Sequence, residues 1–153
     1  MVWGFTLIEL LLTAIILLVI TGLSVPVFKR TFSDLRVNLQ TKDIASLMNL
    51  AREKAVMTRI THLIKIDTDK KTYRMLKMDL KKAKPIPLEG KWGRRFYISG
   101  NLEIDISDDV IEFSPDGSSS GGSISFENVS GFRRQVQIDA GTGEITVGEV
   151  REE

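Results

Sequence analysis

The chain has 153 residues, 42% of them hydrophobic, and its 21 basic and 20 acidic side chains give a formal net charge of +1. This length allows one globular domain plus an anchoring element, but hardly two full cores. The near-neutral charge disfavours a generally basic nucleic-acid-binding protein and a strongly acidic partner surface. The absence of cysteine excludes disulfides, thiolate metal sites and thiol nucleophiles.

Residues 5–28 form an apolar run in which Glu9 is the only charged residue. As a helix, this run is long enough to cross the hydrocarbon layer of a membrane. A secretory signal peptide would begin with basic residues and would have a shorter apolar core. A buried core helix is seldom apolar on every face. The sequence therefore predicts a transmembrane helix over residues 5–28.

Glu9 needs a physical explanation, because placing an acidic side chain inside a membrane helix costs about 2.5–3.5 kcal/mol. One interpretation gives Glu9 a cationic partner within the membrane. The other places it close enough to the helix start to reach the interface, where the helix dipole stabilises an anion. The charge pattern alone leaves both interpretations open.

The sequence GFTLIE at residues 4–9, followed by the apolar run, resembles the N-terminal signature of type IV pilins and type II secretion pseudopilins. The resemblance implies a leader of residues 1–4, cleavage by a prepilin peptidase between Gly4 and Phe5, and methylation of the new amino terminus at Phe5. It also implies that the Glu9 carboxylate pairs with the Phe5 amine of a neighbouring subunit during assembly, which neutralises two charges in the membrane.

The same resemblance implies a single-pass inner-membrane protein that contacts membrane lipid, has its globular domain in the periplasm or outside, and is assembled into a filament. The partners it implies are the prepilin peptidase, an inner-membrane assembly platform and other pilins or pseudopilins. Lys29 and Arg30 directly follow the apolar run, and this arrangement by itself favours a cytoplasmic globular domain. We give the cleavage motif precedence over this charge count.

Apolar residues recur at helical spacing after the apolar run, so the helix is predicted to continue through residues 29–58 and to pack one apolar stripe on a sheet. Gly22 and Pro26 are predicted to interrupt it, because a proline lacks a backbone donor and bends or loosens a helix. A simple kink at the membrane surface and local unwinding in an assembled filament both remain open. The predicted stripe contains Phe28, Phe32, Leu35, Leu39, Ile44, Leu47, Met48, Ala51 and Ala55.

Beyond Ile60 the period of the apolar residues changes to two, which is typical of half-buried strands. Hairpin turns are predicted at residues 67–71 and 140–143. The order of helix and strands predicts an α+β fold, in which the long N-terminal helix packs on an antiparallel β-sheet domain at residues 59–153. The predicted strands cover residues 60–66, 73–78, 96–98, 102–106, 110–113, 124–126, 136–138 and 145–147.

Four short segments of the C-terminal region resemble H-type minor pseudopilins (GspH-like) and FimT-like pilins. They are FSPDG at 113–117, GGSI at 121–124, RRQVQID at 133–139 and TGEI at 142–145. Together with the anchor, this resemblance implies a minor subunit that supports protein secretion in a type II pseudopilus or that assembles into a type IV pilus. Residues 68–100 match no recognised motif and are interpreted as subunit-specific.

No set of residues in the sequence indicates catalysis, a cofactor or a bound metal, so we predict a protein that is not an enzyme. The glycine-rich segment 116–123 lacks the lysine of a phosphate-binding loop and is interpreted as a flexible inter-strand loop. His62, the only histidine, is interpreted as a packed ring. The aspartates at 67 and 69, and those at 105, 108 and 109, lack calcium-loop spacing and are interpreted as solvated turns.

Charge is unevenly distributed along the globular region. Residues 70–95 carry ten bases and two acids, a net charge of +8, whereas residues 101–153 carry three bases and twelve acids, a net charge of −9. Such opposed patches either steer one subunit against another or neutralise each other between neighbouring strands. The sequence leaves both alternatives open.

The basic stretch is interleaved with Trp92, Phe96 and Tyr97, a combination that favours DNA binding through phosphate neutralisation and base stacking. The resemblance to FimT-like minor pilins implies the same alternative, a role in DNA uptake during natural transformation. The weaker candidates for DNA contact are Arg133 and Arg134. The main candidates for contact with DNA or a protein partner are Lys81, Lys82, Lys84, Lys91, Arg94 and Arg95.

Overall fold

The computed structural model describes residues 6–149, and for residues 23–27 only the backbone. It begins with helix α1, which spans 52 residues at Leu7–Thr58. Thr6 caps the helix start, since its side-chain oxygen accepts a hydrogen bond from the Glu9 amide at 3.4 Å. The helix ends where Arg59 adopts a left-handed conformation with φ 55°. This confirms the predicted helix end, and at 1.5 Å per residue α1 is about 78 Å long.

Gly22 and Pro26 both lie inside α1. A proline removes one helical hydrogen bond, and the bonds on either side of it can carry the helix across. Helix α1 is assigned continuously through both residues, while a kink at the membrane surface and local unwinding in an assembled filament both stay predictions.

Within the described residues, no helix carries an apolar stretch long enough to cross a membrane. The predicted transmembrane segment, residues 5–28, includes residue 5 and the side chains of residues 23–27, which lie outside the description. This segment stays a prediction.

Nine strands follow α1 in the described part of the chain, and each of the eight predicted strands overlaps one of them. Strand β1 begins two residues later than predicted, and β4 ends one residue earlier. The additional strand is β3, which contains Pro85 and Pro87, residues that normally argue against a strand. A short 3-10 helix at Lys91–Gly93 follows β3. The strands are β1 His62–Asp67, β2 Thr72–Asp79, β3 Lys84–Pro87, β4 Phe96–Tyr97, β5 Leu102–Ile106, β6 Val110–Phe113, β7 Gly122–Asn128, β8 Arg133–Ile138 and β9 Ile145–Glu149.

The strands form two antiparallel sheets rather than the single sheet region predicted. The first sheet has the order β3-β2-β1-β6, and β4 also pairs with β2; the second has the order β5-β7-β8-β9. The division depends on the pairing of β1 with β6 and of β5 with β7. These strands are not neighbours in the chain, so local periodicity cannot reveal which of them pair.

The second half of α1 packs against both sheets, contacting β1 and β6 of the first and β7, β8 and β9 of the second. The prediction that the helix covers one sheet face is thus extended to two sheets. Phe113 and Phe126 are the largest fully buried side chains that the sheets contribute to the core. The helix contributes Val37, Ile44, Ala45, Leu47, Met48, Ala51 and Ala55.

Polar contacts tie α1 to the sheets at two places. Near the middle of the helix, Asn128 Nδ2 donates to Asp34 Oδ1 at 2.8 Å. The Asn128 side-chain oxygen also accepts from the amides of Ser130 and Phe132, which closes the β7–β8 turn. Near the helix end, Arg52 donates to loop carbonyls of both sheets. The confirmed α+β architecture is therefore a long helix of which only the second half is fastened to the β domain.

Candidate interaction surfaces

The first half of α1 exposes its apolar side chains. Every residue from 7 to 22 is exposed, including Leu7 at 85% and Leu18 at 73%. No other described part of the chain covers this surface. A contiguous apolar surface of this kind indicates contact with lipid or with another protein.

The exposed apolar surface continues past the predicted membrane segment. Phe28 and Phe32 are 61% and 59% exposed, and their rings stack with centroids 6.5 Å apart. Leu35 and Leu39 are exposed as well. The prediction that these four residues pack on a sheet is wrong, because the sheets reach the helix only from about Asp34 onward and cover its other face. The remaining predicted positions are buried: Ile44, Leu47, Met48, Ala51 and Ala55.

Glu9 lies in the first turn of α1 and is exposed. Within residues 6–149 its carboxylate forms neither an ion pair nor a hydrogen bond. The N-terminal end of the helix dipole favours an anion at this position. Gly4 and Phe5 lie outside the described residues, so cleavage, methylation and pairing of Glu9 with the Phe5 amine stay predictions.

The structure divides the six main basic candidates into two groups, and all six are exposed. The first group occupies the β2–β3 turn and the start of β3, at residues 81–84, and the second precedes β4, at residues 91–95. Strand β2 meets the first group at Asp79 and β4 at Tyr73. At about 3.3 Å per residue, these positions are about 20 Å apart along β2.

In the second group, cations lie over aromatic rings. The Nζ atom of Lys91 is 4.6 Å from the centroid of the Trp92 ring, and the Cζ atom of Arg94 is 5.1 Å from that of Phe96. Phe96 in turn stacks on Tyr73 with centroids 5.4 Å apart. Cation–π attraction helps to hold the two bases on the rings. The segment therefore presents fixed positive charge next to flat apolar surface.

This segment forms one wall of an open groove of about 720 Å³ against α1. Trp92, Arg94 and Phe96 line one side, and Asp43 and Glu53 line the helix side. The carboxylates of the helix wall repel phosphate groups. A polyanion would consequently bind the outer surface of the basic segment rather than the groove itself.

Tyr73 lies at the base of the groove and is 3% exposed. Its hydroxyl oxygen accepts a hydrogen bond from Gln40 Nε2 at 3.4 Å. Burial, assisted by the negative charge of Asp43 and opposed by the Gln40 hydrogen bond, raises the pKa of Tyr73 to about 12. The phenol is therefore neutral at physiological pH and acts as a packing and hydrogen-bonding group.

His62 is 2% exposed at the start of β1. Its Nδ1–H donates to the Ile60 carbonyl at 2.7 Å. Burial lowers the pKa of His62, the Ile60 hydrogen bond opposes that change, and the charges of Lys54 and Lys77 add to it. The interpretation of His62 as a packed and satisfied ring is confirmed.

Arg133 and Arg134 are both occupied within the second sheet. Arg133 donates to Asp105 Oδ2 and to Ser125 Oγ, each at 2.8 Å. Arg134 donates to Glu149 Oε1 at 3.1 Å. Because these guanidinium groups already have acidic partners, they are poorer phosphate ligands than the exposed basic side chains near β4.

The glycine-rich segment 116–123 is hydrogen-bonded along its length, so its interpretation as a flexible loop is corrected. Asp116 Oδ1 accepts from the Ser118 amide at 2.9 Å and from its hydroxyl at 2.6 Å. The Ser119 amide donates to the Ala140 carbonyl and the Ser120 amide to the Glu112 carbonyl. The segment links the two sheets in a fixed arrangement.

Arg52 holds this link to α1. Its Nε donates to the Gly117 carbonyl at 3.2 Å and its Nη2 to the Thr142 carbonyl at 2.8 Å. Gly143 has φ 63°, and a Cβ there would meet the Gly117 carbonyl and the Arg52 side chain. The sequence does not single out Arg52, because an arginine on a helix ordinarily indicates a solvated face. Its position next to the buried stripe was the only signal.

Two of the aspartates considered as calcium ligands, Asp67 and Asp105, bind other side chains of the protein. Asp67 accepts from the Lys70 amide at 2.9 Å and from Lys70 Nζ at 3.0 Å, which closes the β1–β2 turn and lowers the pKa of Asp67. Asp105 lies within β5 rather than in a turn, and its carboxylate pairs with Arg133. Among residues 6–149, no three His, Cys, Asp or Glu side chains converge as metal ligands.

The opposed charges of residues 70–95 and 101–153 do not neutralise each other within the described chain. Ion pairs there join Lys70 to Asp67, Arg133 to Asp105 and Arg134 to Glu149. None of these pairs joins the basic stretch to the acidic one. The sequence left open the alternative that neighbouring strands neutralise each other's charges. The ion pairs disfavour this alternative.

Comparison of the sequence with protein-family models and with curated proteins found no match. Comparison of the structure found the minor pseudopilin EpsH from the type 2 secretion system of Vibrio cholerae, with a TM-score of 0.64 and 12% identity over 74% of this chain and 97% of that chain. It also found the type IV minor pilin FimU of Pseudomonas aeruginosa, with a TM-score of 0.54 and 14% identity over 73% of this chain and 87% of that chain. The chain therefore has the fold of these minor pseudopilins and minor pilins.

Proposed function

We propose that the chain is a minor subunit of a type II secretion pseudopilus or a related type IV pilus, and that it acts by co-assembly to support protein secretion. The observation that carries this proposal is the apolar first half of α1, left uncovered by the rest of the described chain, on a pilin-like fold. Glu9, in the first turn, has no ion-pair partner among the described residues. A helix with this much exposed apolar surface is unfavourable in a free globular domain, but it suits a bundle of subunit helices.

In this proposal a prepilin peptidase removes residues 1–4, and the new terminus at Phe5 is methylated. The subunit waits in the inner membrane as a single-pass protein with its β domain outside the cytoplasm. On assembly, the Glu9 carboxylate pairs with the Phe5 amine of a neighbouring subunit, and residues 7–39 pack against neighbouring helices. The pairing favours entry because it neutralises two charges that are costly in an apolar bundle.

The test is Glu9→Ala in the full chain expressed with its assembly machinery. Leader removal is expected to continue, since the cleavage point between Gly4 and Phe5 is unchanged, whereas incorporation into filaments is expected to fall strongly. N-terminal sequencing reads the cleavage, and immunoblots of sheared filaments together with co-purification of other pilins read the incorporation.

Glu53→Ala is the matched control, because Glu53 is an exposed acid on the same helix but lies on the half that packs on the sheets. It is expected to leave incorporation unchanged. Normal incorporation of the Glu9→Ala variant would contradict the proposed pairing. Normal protein secretion when this variant is absent from filaments would contradict the secretion role.

DNA binding for uptake is a second candidate function, favoured by the exposed basic side chains held against Trp92 and Phe96. Lys91, Arg94 and Arg95 would contact phosphate groups there, and nucleobases would stack on the aromatic surface. The full chain in detergent is expected to shift labelled single-stranded DNA at low salt and to release it as salt rises.

Replacing Lys91 and Arg94 with alanine should weaken this shift, whereas replacing Lys81 and Lys82, about 20 Å away along β2, should weaken it much less. No binding at low salt would remove this candidate.

A further inference from the structure

The basic turn between β2 and β3 and an acidic corner beyond β6 lie at opposite edges of the first sheet. The basic turn consists of Lys81, Lys82 and Lys84, all exposed. Asp79 is its nearest acid in sequence, and that side chain already accepts a hydrogen bond from the Lys81 amide at 2.8 Å. The turn ends in β3, the edge strand of the first sheet.

The acidic corner is assembled by the segment that links the two sheets. Ser120 bonds to the backbone of Glu112 in β6, and Ser119 bonds to the β8–β9 turn through Asp139 and Ala140. This brings acids from three separate parts of the chain to one side of the molecule. The corner consists of the exposed residues Glu112, Asp116, Asp139 and Glu144.

Two of these acids are held in a fixed charged form. Asp139 Oδ1 accepts from the Thr142 amide at 2.7 Å and from its hydroxyl at 2.9 Å, and Asp116 is held in the same way by Ser118. These hydrogen bonds lower the pKa of both carboxyl groups. Glu112 and Glu144 have no ion-pair partner in the described part of the chain, so the corner keeps its negative charge.

The two surfaces cannot neutralise each other within one subunit. Three strand intervals separate β3 from β6, and at about 4.8 Å each this is about 14 Å. Salt screens exposed charges beyond about 8 Å at physiological ionic strength. Their complementary charges are therefore available to another molecule.

We propose that the basic turn of one copy of this chain docks on the acidic corner of a second copy. The partner is a second copy because both complementary surfaces belong to this chain and lie at opposite edges, so two copies can meet head to tail. Side chains make the contact, since Pro85 and Pro87 leave β3 poor in backbone donors and Ser120 already bonds the backbone of Glu112. The inference adds a partner to the proposed filament role and depends on that role only for its place in the cell.

The absence of cysteine makes a direct test possible. The full chain is prepared in detergent in two differently tagged forms, one carrying Lys84→Cys and the other Glu144→Cys, and the mixture is mildly oxidised. A disulfide joining the two tags is expected. The control replaces Glu144→Cys with Glu103→Cys, an exposed acid on β5 outside the acidic corner, and is expected to give about tenfold less product. Equal yields from both pairs would overturn the proposal.

Charge reversal tests the electrostatic origin of the contact, with the Lys84→Cys and Glu144→Cys substitutions kept as reporters. Adding Lys81→Glu and Lys82→Glu to the first form makes its turn acidic, and adding Glu112→Lys and Asp139→Lys to the second makes its corner basic. Either altered form should lose the cross-link to an unaltered partner, because two surfaces of the same sign then meet.

A mixture of the two altered forms should recover the cross-link, and salt at about 0.5 M should reduce the yield of the unaltered pair. Failure of the mixture to recover the cross-link would overturn the proposal. If Asp139→Lys disturbs folding, Glu112→Lys alone provides a milder second arm with the same expected recovery, and failure there would overturn the proposal as well.

This outcome is separable from that of the filament proposal. Loss of filament incorporation in the Glu9→Ala variant, together with specific cross-linking in detergent, would support both proposals. The same loss of incorporation without a cross-link above the Glu103→Cys control would overturn the copy-to-copy contact alone. Normal incorporation of Glu9→Ala with a specific cross-link would overturn the Glu9 pairing alone.

Discussion

The two halves of α1 are both rich in apolar residues but have opposite surroundings. From residue 7 to residue 22 every side chain is exposed, whereas from Val37 to Ala55 most apolar side chains are buried by two sheets. Helix propensity does not distinguish the halves, since one continuous helix runs through both. Burial does, and it leaves the first half available for lipid or for other subunits.

The largest effect should come from removing one aromatic ring from the core that covers the second half of α1 and, separately, one ring from the exposed part of the helix. Phe126 is fully buried in the core, and Phe126→Ala is expected to lower the free energy of unfolding by about 3–5 kcal/mol. Phe32 is 59% exposed, and Phe32→Ala is expected to change that free energy by less than about 0.5 kcal/mol while reducing filament incorporation. Denaturant unfolding followed by circular dichroism measures both. Equal destabilisation would show that the first half also packs on the β domain.

An intermediate effect is expected from the arginines of the same helix. Arg52→Ala removes two hydrogen bonds to loop carbonyls and should cost about 1–3 kcal/mol. The matched change, Arg36→Ala, alters an exposed side chain and should be near neutral. Limited proteolysis within residues 116–123 should accelerate only in the Arg52 variant. Unchanged proteolysis would mean that the link between the sheets does not need the helix.

The smallest effect concerns pH. Because burial lowers the pKa of His62 below its ordinary value of 6.5, the unfolded chain takes up the proton first. Stability contributed by the neutral ring is present above pH 6.5 and is lost as the pH falls through that value towards the folded pKa. Thermal midpoints measured at pH 7, 6 and 5 should fall, and His62→Gln should flatten the trend. An equally steep trend in that variant would assign it to other groups.

The carboxyl groups with lowered pKa do not contribute to the change in thermal midpoint between pH 7 and pH 5. Asp67, Asp116 and Asp139 all have folded pKa values below the ordinary 3.8, so the stability they contribute is lost only as the pH falls below about that value. The window between pH 7 and pH 5 therefore isolates the histidine from these three groups.

Local periodicity predicted the features that depend on local sequence. The end of α1, the turn after Asp67 and the strands with alternating apolar residues are confirmed, because each is determined by neighbouring residues. Strand β3 was missed for the same reason: its two prolines are locally unfavourable, and pairing with β2 at the sheet edge stabilises it nonetheless.

Features that depend on distant pairing were not predictable in this way. The apolar spacing of Phe28, Phe32, Leu35 and Leu39 indicates a stripe but not what covers it. The basic stretch separates into two groups because β2 pairs with β3 and with β4 at different positions. Arg52 gains its role only when loops 65 and 90 residues further along the chain meet it.

The hydrogen bond between Asn128 and Asp34 also has a mechanical meaning. It lies where the free part of α1 first reaches the β domain, and Arg52 holds the helix 18 residues further on. A tensile force on the free end of the helix would therefore act first at Asp34 and then in shear over the buried stripe, about 27 Å long. Contacts sheared together resist extraction better than contacts peeled singly, so pulling the helix should be slow to unfold the domain.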